Sequence, residues 1–308
     1  MKRLCSVVFS LFLSSVAAQQ EASFSHYMFN HQAINAAYVG ARNTANFTSV
    51  LRSQWAGIEG APLTQTFSYN TALNESQLGY GFNIVNDKIG PISSTSFDVD
   101  AAYHLIINQQ GHRLALGLKF SVMNYFLDTS KIMTSQPNDA AFFLDTDRTI
   151  VPNIGFGAYY YTPSFYLGFA VPRMLAHADF RLEPHYYLMG GGLLRFSERF
   201  MLKPSLLLKQ VNRIAGYDLT VMAIYNSRVW GGFQLRNNFN RTTFQTFAGT
   251  RSSVLLGIHL GRSISLGYAY GIPATLSIPG FNGSTHEVFL RYDIVKVIQG
   301  YLRSPRFF

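Results

Sequence analysis

The sequence predicts an all-β protein, a transmembrane antiparallel β-barrel of outer-membrane type with about 14 strands. Three observations carry this expectation. Apolar and polar residues alternate with period two in segments of roughly 8 to 13 residues, near the 9 to 11 that a tilted strand needs to cross a bilayer. Tight and long links alternate between these segments. Charged residues are scarce, 13% against 15% aromatics, and within the segments they keep to one parity. Residues 94–108, STSFDVDAAYHLIIN, place Phe97, Val99, Ala101, Tyr103, Leu105 and Ile107 opposite Ser96, Asp98, Asp100, Ala102 and His104. Successive strand side chains point to opposite faces, so this pattern separates either core from water or lipid from a polar lumen. A soluble sandwich would crowd its solvent face with Lys and Glu; glycine, serine and aromatics stand there instead, which favours lipid and lumen.

From the N-terminus, residues 1–18 read as a secretory signal. Lys2 and Arg3 precede an apolar run from Leu4 to Val16, and Ala17 and Ala18 supply small residues for cleavage before Gln19. The run is too short, and too interrupted by serine, for a spanning helix. The sole cysteine, Cys5, lies in this signal, so the mature chain offers neither a disulfide framework nor a thiolate metal site. The formal charge of +9 falls to +7 once Lys2 and Arg3 are gone. The remaining cations are scattered, with no basic stripe, and nucleic acid is not an expected partner.

Residues 19–45 lack strand alternation and are expected to form an N-terminal periplasmic or plug segment. The barrel is expected over 46–293, with strands at 46–55, 63–70, 78–86, 95–107, 112–125, 153–161, 164–171, 185–196, 200–209, 217–226, 229–236, 253–260, 263–270 and 285–293. Residues 294–308 form a periplasmic tail, which puts both chain ends on one side. Tight links at 108–111, 162–163, 197–199, 227–228 and 261–262 mark the periplasmic rim, and long links at 126–152, 172–184, 210–216, 237–252 and 271–284 face outward. A further candidate strand at 242–249 would break this alternation and is assigned to a loop. Most prolines, Pro152 and Pro273 among them, fall outside the strands; Pro204 falls inside one and predicts a local irregularity.

Arg52, Asp98, Asp100, Lys119, Arg195, Lys203, Lys209, Arg236, Glu287, Arg291 and Asp293 share the inner parity, as the cost of charge in lipid requires. Tyr69, Tyr80, Tyr103, Tyr125, Tyr160, Tyr268 and Tyr292 lie near strand ends, where aromatic girdles form. Little here reads as catalysis. Asp98 and His104 lie about 20 Å apart along one strand, too far for one metal. His286 and Glu287 face opposite ways and lack the second histidine of a zinc-protease motif. Neither a G-x-S-x-G elbow nor a phosphate-binding glycine loop occurs. No catalytic, cofactor-binding or metal residues are assigned, and the protein is expected to be no enzyme.

Residues 24–42, FSHYMFNHQAINAAYVGAR, are followed by RSQWAGIEGAPLTQTFS (52–68), NDKIGP (86–91), PNIGFGAYYY (152–161), KPSLLLK (203–209), LGYAY (266–270) and GSTHEVFLRYDI (283–294). The set resembles the PorP/SprF family of outer-membrane proteins from the type IX secretion system of Bacteroidetes. Two positions depart: Ala36 stands at the proline of N-P-A-Y, and Gly271 where an aspartate commonly follows G-Y-x-Y. The resemblance implies an outer-membrane barrel that supports export or surface attachment of secreted proteins, gliding adhesins included. It implies periplasmic ring and peptidoglycan-associated secretion components as partners. It makes Tyr27, Met28, Phe29, Asn30, Asn35, Tyr38, Gln54, Trp55, Gly60, Ala61 and Pro62 candidates for partner docking or for the plug. A porin or solute channel is the alternative, and a sealed lumen would favour the secretion reading.

Overall fold

Inside lipid every main-chain N–H and C=O needs a protein partner, so a spanning sheet has to close on itself. The computed structural model, which describes residues 23–42, 44–73, 77–128, 148–177, 182–212, 214–238, 250–273 and 283–294, shows this closure. Its strands are β1 (Ala45–Gln54), β2 (Leu63–Ala72), β3 (Leu78–Ile89), β4 (Ile92–Ile106), β5 (Arg113–Leu127), β6 (Arg148–Tyr161), β7 (Phe165–Val171) and β8 (His185–Gly192). They continue with β9 (Leu194–Arg195), β10 (Phe200–Val211), β11 (Ile214–Tyr225), β12 (Val229–Asn238), β13 (Thr250–Leu260), β14 (Ile264–Pro273) and β15 (Thr285–Ile294). All neighbours are antiparallel, and the first and last strands meet, from Ala45 opposite Ile294 to Gln54 opposite Thr285.

β9 continues β8, because both keep one register against β10, with Gly191 opposite Ser205 and Leu194 opposite Leu202. The wall therefore has fourteen strands. The break between the two pieces coincides with Pro204, which has no N–H to give to the ladder.

Alternation resolves into two faces. On β5, Leu118 and Phe120 are 60% and 66% exposed, while Ala115, Lys119 and Ser121 are buried. The large apolar side chains thus point away from the lumen. Tyr80, Tyr103, Tyr268 and Tyr292 also face outward. No helix among the described residues is long and apolar enough to cross a membrane.

Several strands run past their predicted ends. β5 and β6 reach Leu127 and Arg148, and β10 and β11 leave only residues 212–213 of the expected 210–216 loop. A hairpin ladder continues wherever its neighbour continues, including above the bilayer, where alternation is no longer enforced. Pro152 and Pro273 therefore fall within β6 and β14, contrary to expectation. Pro152 is tolerated because β7 pairs with β6 only from Phe156, leaving that edge without a ladder. The candidate strand at 242–249 lies outside the described residues.

The core of the molecule is its lumen, filled by residues 23–42. Ser23 lies beside Lys209 near the end of β10 at the long-link mouth. Arg42 pairs with Asp293 at the short-link mouth, just before β1 begins. The segment runs the length of the barrel. Its first described residue, Ser23, and the last residue of β15, Ile294, lie at opposite mouths; the chain ends expected to share one side lie outside the described residues.

Candidate functional site

The segment folds as three 3-10 turns, Tyr27–Phe29, His31–Ala33 and Ala36–Tyr38. Asn35 caps the third, its side-chain oxygen accepting from Ala37 N–H at 2.9 Å. Ala36 occupies the first position of that turn, where proline would be pre-organised. The Asn35 cap holds the turn in its place.

A second use of Asn35 locks the segment to the wall. Its side-chain amide donates to the carbonyls of Ala158 on β6, at 3.0 Å, and Phe169 on β7, at 3.2 Å. Asn35 and Ala37 are 0% exposed. This closeness depends on a row of small residues directly opposite one another on adjacent strands, Gly79, Ala102, Gly117, Gly157 and Ala170. A Cβ on Gly117 would collide with the main chain of Ala36 and Ala37, and one on Gly157 with the Asn35 side chain.

Polar wall residues meet the rest. Glu287 accepts from Ser25 N–H at 2.8 Å and His26 N–H at 2.7 Å, and its carboxylate lies 2.6 Å from His26 Nδ1. Gln32 donates to Tyr69 O, Phe82 O and Asp100, and Asn70 donates back to Gln32 at 3.0 Å. Asn30 bonds Ser68, and Tyr27 donates to Asp218 O. Aromatic rings fill what remains: Phe29 lies 4.7 Å from Phe289 and 4.9 Å from Trp230, and Tyr38 meets Tyr159 edge to face.

Two clusters of buried charge beside the segment are paired. Lys119 reaches Asp100 at 2.9 Å and Asp98 at 3.5 Å across β4 and β5. Asp218 takes Arg236 at 2.8 Å and Lys209 at 3.4 Å. Burying such charges is tolerable because each lies beside an ion of opposite sign. Arg195 differs from the other inner-parity cations and is exposed on β9 at the short-link rim.

The family-motif positions separate into two groups. Tyr27, Met28, Phe29, Asn30, Asn35 and Tyr38 lie buried in the lumen. Gln54, Trp55, Gly60, Ala61 and Pro62 form the β1–β2 turn at the long-link rim, where Gln54 N–H donates to Pro62 O and Gly90 N–H to Gly60 O. Asp98 and Asp100 serve Lys119, whereas His104 bonds Val39 O and Tyr161. His286 faces outward against Tyr268 while its neighbour Glu287 faces the lumen. Sequence reading passed over His26, Gln32 and the glycine row. The available signal was glycine recurring on the inward parity, at Gly79, Gly81, Gly117 and Gly157.

The fold matches known outer-membrane barrels. The Acinetobacter baumannii outer membrane protein Omp33 superposes with a TM-score of 0.50 at 7% identity, covering 83% of this chain and 100% of its own. A TodX monoaromatic hydrocarbon channel mutant gives 0.51 at 10% identity over 90% and 96%. The Ralstonia pickettii toluene transporter TbuX gives 0.51 at 11% identity over 87% and 92%. At such identities the likeness concerns the fold alone. No curated protein matches the sequence. The model of the type IX secretion system membrane protein PorP/SprF matches residues 16–292, strands and lumen segment together, and the chain belongs to that family.

Proposed function

We propose that this barrel acts without turnover in type IX secretion, supporting export or surface attachment of secreted proteins, adhesins among them, by binding other proteins. The observation that carries this reading is the filled lumen: residues 23–42 span it from mouth to mouth, with Asn35 and Ala37 fully buried. A lumen occupied by the barrel's own chain favours protein binding over a standing solute channel. The long links face the cell exterior and the tight links face the periplasm, where ring and peptidoglycan-associated components reach the rim. Residues 1–18 direct export and are cleaved near Ala18. The long-link turn with Gln54, Trp55, Gly60, Ala61 and Pro62 is the candidate docking surface.

Deleting the gene and comparing secreted and surface-bound proteins tests the reading. Loss of particular secreted proteins from the surface, with barrel and ring components co-isolated in mild detergent, is the expected result. An unchanged secretome together with steady ion conductance in planar bilayers would move the protein to the channel reading.

A further inference from the structure

Much of the hold on residues 23–42 falls on main chain, which every polypeptide carries. Arg236 donates to Phe24 O at 3.1 Å, Gln234 to Ser25 O at 3.3 Å, Lys203 to Met28 O at 3.3 Å, and Lys119 to Gln32 O at 3.5 Å. His104 Nε2 lies 2.8 Å from Val39 O. Glu287 takes the amides of Ser25 and His26. Six wall side chains thus read seven main-chain groups without regard to residue type. The row of small residues on β3 to β7 gives the chain room to lie against the wall.

Two further observations bear on whether this ligand can leave. The wall closes without it, since β1 pairs along its whole length with β15 and the segment contributes no strand. The lumen also widens where the segment begins. His185 lines both a cavity of about 60 Å³ beside Ser23 and Phe24 and a larger one of about 310 Å³, bounded by Asp87, Arg173 and Glu183.

We propose that the lumen is a peptide-binding site that recognises polypeptide main chain, occupied in cis by residues 23–42. The ligand that displaces them is a segment of a secreted protein that takes over the wall groups now held by the three turns. The identity of the displacing ligand rests on the secretion role proposed above; the site itself does not.

The first test uses the full chain with a protease sequence inserted at residue 43, between the segment and β1. After purification in detergent and cleavage, a fluorescent synthetic peptide of residues 19–44 should enter the barrel saturably and be competed by unlabelled peptide. The uncut barrel should take up little. Glu287→Gln removes a charge-assisted acceptor of two amides and should raise the half-saturating concentration about tenfold or more. Absence of saturable uptake after cleavage, or equal uptake by the uncut barrel, would overturn the site.

The second test concerns displacement. The hydroxyls of Ser25 and Ser253 lie 3.4 Å apart, and Cys5 is the sole native cysteine. The double variant Ser25→Cys with Ser253→Cys should therefore form a tether across the lumen. Oxidised cells should assemble the barrel, lose export and regain it on reduction. Normal export with the tether closed would refute displacement while leaving the secretion role intact, whereas normal export after gene deletion would remove that role.

Discussion

The wall and the segment it encloses bury main chain by opposite means. Each wall strand passes its N–H and C=O groups to two neighbours, as β1 does to β15 and β2. The segment has no strand neighbour. Its 3-10 turns satisfy part of its main chain, as in Phe29 N–H to His26 O, and individual wall side chains satisfy more. A ladder accepts any side chain of suitable polarity, so the wall should tolerate substitution that keeps polarity. The segment depends on particular groups, and single changes should loosen it.

Lys119→Met should have the largest effect, because Lys119 belongs to both regions. It pairs with Asp100 and Asp98, the latter also facing Arg173 at 4.0 Å, and lies 3.5 Å from Gln32 O. Leaving two buried carboxylates without this cation should cost about 3–5 kcal/mol. Heat-dependent mobility on SDS gels should show a weaker barrel, and limited proteolysis should show a looser segment. If only one of them changes, the two regions are not coupled through this residue.

Its neighbour on β5 separates them. Leu118 faces lipid, so Leu118→Arg should cost about 2–4 kcal/mol and lower the yield of assembled barrel. In the fraction that assembles, protease protection of the segment should match the parent. Increased cleavage of the segment would mean that strain in the wall reaches the lumen.

Asn35→Ala acts from the other side. It removes the bonds to Ala158 O and Phe169 O and leaves Ala37 N–H without its cap, a loss of about 1–3 kcal/mol. The segment should become protease-sensitive while the barrel keeps its thermal transition. A transition lowered along with it would make the segment part of the wall's stability.

Gln54→Ala should be smallest, within about 0.5 kcal/mol, since the rim turn retains its main-chain bond to Pro62 O. Reduced secretion with normal assembly would assign docking to this turn. Unchanged secretion would clear it.

The fourteen strand positions were legible because period-two polarity is local: each segment states which of its faces meets lipid, whatever its partner. The tight links expected at 162–163 and 227–228, which occupy 162–164 and 226–228, were legible for the same reason, as chain reversals between two such segments. Strand ends were less so. β10 and β11 continue to Val211 and Ile214 because each supports the other, and no property of residues 210–216 alone announces that support. The family motif marked Tyr27 to Tyr38 as candidates for the plug or for partner docking, without deciding between the two. Their place in the lumen was decided by groups far away in the chain, such as Glu287, 262 residues from Ser25. Gly79, Ala102, Gly117, Gly157 and Ala170 each read only as small inward residues. The strand register aligns them into one row, and that alignment gives the segment the space to be buried. Polarity along a strand follows from its own residues, whereas contact across a lumen depends on closure of the whole sheet.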